Sequence, residues 1–277
     1  MGVSLTAFDD AEDDGDIIVV PGDTPLLRAS TLADLATIHR SSDAAATVLT
    51  AEIDNPSGYG RVVRGKDDRV ARIVEHRDAS SEELEINEVN TSIYCFRRSL
   101  LAPALRRLSP ENSQGEYYLT DVIEVLYDAG YNVVSLVAAD PMETAGINDR
   151  VQLAVAEAEL RDRTNERWMS HGVTMIDPER TYIDATVRLA EDVTLFPGVI
   201  LQGQTIIGPG ARIGPDCRLD DCTVGDEAII EHAVATGAEI GAKAVVGPFA
   251  SLGNGARVAP GEVTGPFFTA EGEADST

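Results

Sequence analysis

Gly22-Asp23-Thr24-Pro25 places a carboxylate just past a short apolar run, Ile17 to Val20. A carboxylate at the end of a buried strand stands where open α/β sheets gather their ligands. The same aspartate also reads as a turn residue ahead of Pro25, and both readings stay open. Asn148 offers a carboxamide oxygen, yet it sits where a helix N-cap belongs. Glu75 reads as a strand-end carboxylate, Asn90 as a polar strand residue, and Gly58 as a turn glycine. His39, His76, His171 and His232 have no partners at triad or metal-ligand spacing. Cys95, Cys217 and Cys222 form an odd, sparse set, which fits a reducing cytoplasm better than a disulfide framework.

The elements that would position these groups alternate. Ile17 to Val20 predicts a strand buried on both faces, as in a parallel sheet. Ser30 or Thr31 is placed to cap a helix that runs through His39. Thr47 to Ile53 predicts a second buried strand. Arg61–Arg64 and Val70–Glu75, joined by Gly65-Lys66-Asp67-Asp68, predict a hairpin. Strands at 89–96 and 132–138, a helix at 119–127 and a longer helix from Asn148-Asp149 to about residue 170 complete an α/β layer. Tyr117, Tyr118 and Asp121 read as packing and helix-start residues. The acidic run Asp9 to Asp16 reads as an exposed loop or frayed end. Met1 to Thr6 lacks the features of a signal peptide, and the loose myristoylation pattern of Gly2 with Thr6 reads as coincidence.

From residue 183 the pattern changes. Ile183, Leu189, Leu195, Leu201, Ile207, Ile213 and Leu219 recur every sixth position. Small or β-branched residues, Val187, Val193, Val199, Thr205, Ala211 and Cys217, follow four positions after the first six of them. The series resumes at Val224 and Ile230, and again at Ile240, Val246, Leu252 and Val258. A period of six fits neither a helix nor a hairpin ladder. It suits a triangular coil with one aliphatic residue per side filling the axis, in about four coils.

Asp and Glu number 47 against 22 Lys and Arg, a formal charge of −25. Such a surface repels phosphate backbones and anionic lipid, so neither nucleic acid nor a membrane is an expected partner. No apolar run approaches the ~20 residues of a spanning helix.

Several segments together carry a family resemblance: Gly22 to Leu26, Asn55 to Arg61 (Asn-Pro-Ser-Gly-Tyr-Gly-Arg), Ile73 to Ala79, Glu88 to Thr91, Gln114 to Asp121 and Gly146 to Leu153. In this order and spacing they resemble the bifunctional N-acetylglucosamine-1-phosphate uridylyltransferase / glucosamine-1-phosphate acetyltransferase family. The last two segments separate the chain from thymidylyl- and adenylyltransferase neighbours. The resemblance implies an incomplete Rossmann-like nucleotidyltransferase domain of the GT-A-like kind over residues 1–150. A helical connector over 151–172, a left-handed parallel β-helix of hexapeptide repeats over 173–264 and an acidic tail over 265–277 would follow. It implies uridylyl transfer from UTP to a sugar 1-phosphate, with Mg²⁺ held by Asp23 and Asn148. Gly22, Gly58, Glu75 and Asn90 would lie on UDP-N-acetylglucosamine, in a homotrimer that serves cell-wall precursor synthesis.

Two departures qualify it. The family's glycine-rich triphosphate loop, Leu-Ala-Ala-Gly-x-Gly-Thr with a following lysine, does not occur in these 277 residues. Losing even one preorganised donor lowers a rate by ~10²–10³, so a chain shortened at both ends is expected to be inactive by itself. The alternative is a non-catalytic paralogue that keeps sugar-nucleotide binding or trimer formation. After Gly247-Pro248-Phe249-Ala250, Ser251 and Gly253 stand where the family carries arginines, so acetyl transfer is not expected. Ser92, where a glycine is usual, is a smaller deviation.

Overall fold

The computed structural model describes residues 15–272, so the expectations for Met1–Thr6 and for most of the Asp9–Asp16 run lie outside the described residues. The chain divides after Leu153 into two compact units. No helix among the described residues is long and apolar enough to cross a membrane.

The front unit is a mixed sheet with helices. Its strands are β1 (Asp16–Val19), β2 (Ala46–Glu52), β3 (Arg61–Arg64), β4 (Val70–Val74), β5 (Glu88–Arg97) and β6 (Val133–Val137). They run in the order β4-β3-β5-β2-β6, with β1 added alongside β5. Only β2 and β6 pair in parallel. β3 and β4 form the expected antiparallel hairpin. Alternate residues of β2 and β5 reach two cores. Val48, Val62, Tyr94, Phe96 and Ile123 belong to the larger one, and Leu35, Leu49, Ile93 and Cys95 to the smaller.

β1 departs from expectation. It pairs antiparallel with β5, and Ile18 stays 41% exposed. A four-residue apolar run fits either a buried parallel strand or a half-covered antiparallel one, so the run alone does not choose.

Helix α1 (Ala29–Ser41) begins at Arg28, and neither Ser30 nor Thr31 caps it. The buried Glu143 takes that role from far along the chain. Its Oε2 accepts from the Arg28 amide at 3.3 Å and from Thr31 Oγ1 at 2.7 Å, which places a carboxylate at the positive end of the helix. Helix α2 (Arg98–Leu105), which the sequence reading does not anticipate, follows β5 directly and encloses Pro103. Helix α3 (Asp121–Asp128) buries Val122, Ile123 and Leu126.

Helix α4 (Arg150–Ser170) enters the second unit. There Asn165 is fully buried, and its Nδ2 donates to the carbonyls of Pro178 and Thr181 at 2.8 and 3.0 Å. Trp168 packs against the solenoid core.

That core is the aliphatic series read from the sequence. Short strands from β7 (Thr174–Met175) to β22 (Thr269–Ala270) stack into three parallel sheets of five, six and five strands. The result is a left-handed-β-helix-like solenoid of about five turns, one more than the period count predicts. The thirteen counted positions fall three short of the sixteen strands, one coil's worth: Met175 in β7, Ala270 in β22 and Ala235 are left out of the series. Ala235 in β17 (Val234–Thr236) stands in register between Leu219 and Leu252, at 1% exposure. Its methyl is too small to register in an aliphatic count. Beyond Val258 the ladder continues, through a bridge from Val245 to Val263 and the pairing of β20 (Ser251–Leu252) with β22.

Candidate functional site

Two clusters of the front unit hold the residues singled out in the sequence. The first joins positions 23 and 146–148. The Asp23 carbonyl accepts from the Ile147 amide at 2.9 Å. A Cβ built on Gly146 would lie 3.5 Å from Asp23 Oδ2, so the glycine lets the backbone pass close to the carboxylate. Asp23 and Asn148 are both exposed, and the Ile147–Asp23 bond brings their chain segments side by side.

The N-cap question at Asn148 resolves in favour of its neighbour. Asp149 Oδ1 accepts from the amides of Val151 and Gln152 at 2.9 and 2.8 Å, and Gln152 Oε1 accepts from the Asn148 amide at 2.6 Å. Asp149 therefore caps α4, and the Asn148 side chain is not used for that purpose. The donor set at this cluster, one carboxylate and one carboxamide oxygen, suits Mg²⁺, which keeps several waters and takes few protein ligands. Among the described residues no group of three or more His, Cys, Asp or Glu could hold a metal ion, so these two would leave most of the coordination shell to water and substrate.

The second cluster surrounds Gly60. A Cβ there would meet Ile73 Cγ2 at 3.1 Å, and Asn90 Cβ and Glu75 Oε2 at 3.6 Å each. The Gly60 carbonyl accepts from the Asn90 amide at 2.9 Å. Thr120 Oγ1 donates to Glu75 Oε1 at 3.2 Å, which fixes the carboxylate with its other oxygen turned toward Gly60. Asn90 is 6% exposed, and its Oδ1 accepts from the Ser92 amide at 3.2 Å. Ser92 holds a left-handed φ of 63°, the conformation a glycine adopts without strain. Below them lies Tyr94, hydrogen-bonded to the Asn90 and Ser92 side chains. Burial pushes its phenol well above the usual range, with Glu75 adding to the shift. The arrangement is a polar recess of donors and acceptors beside a glycine, able to bond the hydroxyl and amide groups of a sugar.

Glu75 also borders a cavity of about 490 Å³ with Asp78, Tyr118, Asp121 and Glu124. Burial, together with Glu124, Glu75 and Asp78, raises the Asp121 carboxyl. Asp121 opens α3 as expected, and Tyr118 lines this cavity. Tyr117, expected to pack, is 69% exposed.

Gly22 and Gly58 both stand in open space, with nothing within 4 Å of a built Cβ. Gly58 owes its glycine to a φ of 88°. Gly60, Thr120, Tyr94 and Gly146 escaped singling out. Gly60, Thr120 and Gly146 lie inside the recognised segments, but only the fold shows what they touch. Of the histidines, His39 is buried, with Nδ1 2.9 Å from Thr47 Oγ1 and Nε2 3.5 Å from Asp16 Oδ1. Burial lowers its pKa, and it serves packing.

A family model described as nucleotidyl transferase matches residues 4–169. Among curated relatives, the bifunctional protein GlmU of a Geobacillus species is 47% identical over 241 residues, which is 87% of this chain and 52% of that protein. The GlmU of Streptomyces avermitilis is 50% identical over 246 residues, 88% of this chain and 51% of that protein. That of Exiguobacterium sibiricum is 47% identical over 241 residues, 87% and 54% respectively. The chain spans about half the length of the curated relatives it matches.

Proposed function

The chain belongs to the nucleotidyl transferase family, and on that premise we propose that it carries the sugar side of uridylyl transfer. The reaction joins UTP and N-acetylglucosamine-1-phosphate into UDP-N-acetylglucosamine and pyrophosphate, a step in cell-wall precursor synthesis. An oxygen of the sugar phosphate attacks the α-phosphorus of UTP, a P–O bond forms, the α–β anhydride breaks, and pyrophosphate leaves with the electron pair.

The observation that carries the reading is the pair of clusters within the front unit. Asp23 lies against Gly146 and Ile147, next to Asn148, while Glu75 and Asn90 flank Gly60. Asp23 and Asn148 would hold Mg²⁺, which when bound neutralises charge on the phosphates. Glu75, fixed by Thr120, accepts from a sugar hydroxyl. Asn90, fixed by the Ser92 amide and the Tyr94 phenol, bonds hydroxyl or acetamido groups. Gly22 and Gly58 leave room for the nucleotide-sugar to approach backbone.

Three free, buried thiols support a reducing, cytoplasmic setting. The solenoid is the part through which a homotrimer would form. Without the glycine-rich loop in their sequence, these 277 residues are expected to bind sugar ligands and not to turn them over.

Calorimetry with N-acetylglucosamine-1-phosphate and UDP-N-acetylglucosamine, with and without Mg²⁺, and a pyrophosphate-release assay test this reading. Magnesium-dependent binding with turnover below ~1 s⁻¹, the low end of ordinary enzymes, is the expected result. No binding of either ligand would overturn the function, and faster turnover would overturn the inactivity.

A further inference from the structure

Strand β5 carries an irregularity beside the sugar recess. Against β2 it pairs Tyr94 with Val48, then Ile93 with Leu49, and then Asn90 with Thr50. Thr91 and Ser92 are left out of that ladder as a two-residue bulge, the kind of feature that re-aims a side chain beside a binding site. Without the bulge, residue 92 would stand opposite Thr50. With it, Asn90 takes that place, two ladder positions from Tyr94 and on the same face of the sheet. Both bulge residues are pinned. Thr91 Oγ1 donates to the Leu49 carbonyl at 2.7 Å, and the Ser92 amide donates to Asn90 Oδ1 at 3.2 Å.

These bonds decide which end of the Asn90 carboxamide remains for a ligand. A backbone amide only donates, so the carboxamide cannot turn its nitrogen toward Ser92 without setting donor against donor. Its oxygen is committed to the bulge, and its two N–H groups are what it has left. Tyr94 stands alongside at 1% exposure, its ring stacked on Phe96 with centroids 5.4 Å apart. Its phenol bonds the side chains of Asn90 and Ser92. Ser92 supplies that hydroxyl in spite of a left-handed φ of 63°, which a glycine adopts without strain. Strain kept beside a binding site points to a use for the side chain that bears it.

We propose that Ser92 and Tyr94 are positioning residues that hold Asn90 as a hydrogen-bond donor, and that this donor selects a sugar carrying an acetyl carbonyl on its 2-substituent. The identity of the ligand rests on the uridylyl-transfer reading. A carbonyl oxygen only accepts, and so matches an N–H. A 2-hydroxyl is shorter by the whole acetyl group and leaves the buried donor without its partner, which lowers affinity.

The test uses the full chain, Tyr94→Phe and Ser92→Gly, with N-acetylglucosamine-1-phosphate and glucose 1-phosphate as probes, by calorimetry with Mg²⁺ and by thermal melting. The unaltered chain is expected to bind the acetamido sugar phosphate about tenfold more tightly than glucose 1-phosphate. Tyr94→Phe is expected to erase most of that ratio by weakening the acetamido ligand while glucose 1-phosphate binds as before. Ser92→Gly, which keeps the amide and loses the hydroxyl, is expected to melt higher and to lose a smaller part of the ratio. A phenol needed only for packing would lower Tm and weaken both ligands alike, so an unchanged ratio in Tyr94→Phe overturns the inference whatever its Tm. Should that variant not fold, an unchanged ratio in Ser92→Gly overturns it equally. Both ligands bound equally well by the unaltered chain would also overturn it, and would leave the sugar-phosphate reading standing. Binding of neither ligand overturns that reading, and the inference with it.

Discussion

The front unit and the solenoid solve burial in opposite ways. In the front unit the buried set includes Arg61, Asn90, Thr120 and Glu143, and the last two take their partners from distant parts of the chain. Glu143 meets Thr31, Thr120 meets Glu75, and Gly146 meets Asp23. In the solenoid each axial residue meets the one a coil away, as Leu195 meets Ile213, and the interior is almost wholly aliphatic. Two of its buried hydroxyls bond close by: Thr205 Oγ1 donates to the Gln202 carbonyl at 2.7 Å and Thr181 Oγ1 to the Asp177 carbonyl at 2.8 Å. Buried polar groups are high-stakes: satisfied they specify, unsatisfied they destabilise. The solenoid is therefore built for stability by repetition, and the front unit gives up uniform packing for a surface that can meet a ligand.

The largest expected effect sharpens that contrast. Leu219→Ala, at full burial on the solenoid axis, should lower stability by about 2–5 kcal/mol in urea unfolding followed by circular dichroism. Sugar-phosphate affinity measured in native buffer should not change. A loss of affinity with unchanged stability would erase the distinction between the units.

Gly60→Ala should do the reverse. The new methyl would stand 3.1 Å from Ile73 Cγ2 and 3.6 Å from Glu75 Oε2. It should weaken N-acetylglucosamine-1-phosphate binding about tenfold, measured by calorimetry, with little change in the melt. Gly130→Ala is the control. Its φ of 83° strains any side chain, at about 1 kcal/mol, but nothing lies within 4 Å of a built Cβ, so Tm should fall while affinity holds.

The smallest effect concerns pH. Burial pushes the Cys217 thiol from its ordinary 9.0 up to about 11. Between those values the unfolded chain has lost the proton and the folded chain retains it. Stability from this group is thus fully present below pH 9 and declines as pH rises toward 11. Urea midpoints at pH 8 and pH 10 should show a drop that Cys217→Ala reduces. An equal drop in the variant would assign the effect elsewhere.

The two units were not equally legible in the sequence. The solenoid follows from a period, because its contacts are one coil long and every axial side asks for the same kind of residue. The series missed Met175, which precedes it, and Ala235 and Ala270, since a methyl on the axis resembles any surface alanine. The front strands were legible from their β-branched runs, whereas the partner of β1, the helix α2 and the cap of α1 were not. The carboxylate that satisfies the start of α1 is Glu143, and nothing near residue 30 announces it. Asp23, Asn148, Glu75 and Asn90 were found through the segments that carry them. Arg61 was passed over in one of those segments, because an arginine in a strand normally reaches solvent and only burial shows that this one does not.

The central claim is that Asp23 and Asn148 serve one cation, and Mn²⁺ in place of Mg²⁺ tests it most directly. Paramagnetic broadening of backbone amide resonances, followed as Mn²⁺ is titrated, should strike Asp23, Gly146, Ile147 and Asn148 first and together, and Asp23→Ala should remove it. Broadening that instead begins at acidic solenoid corners such as Asp220 and Asp221, and survives Asp23→Ala, would contradict the account.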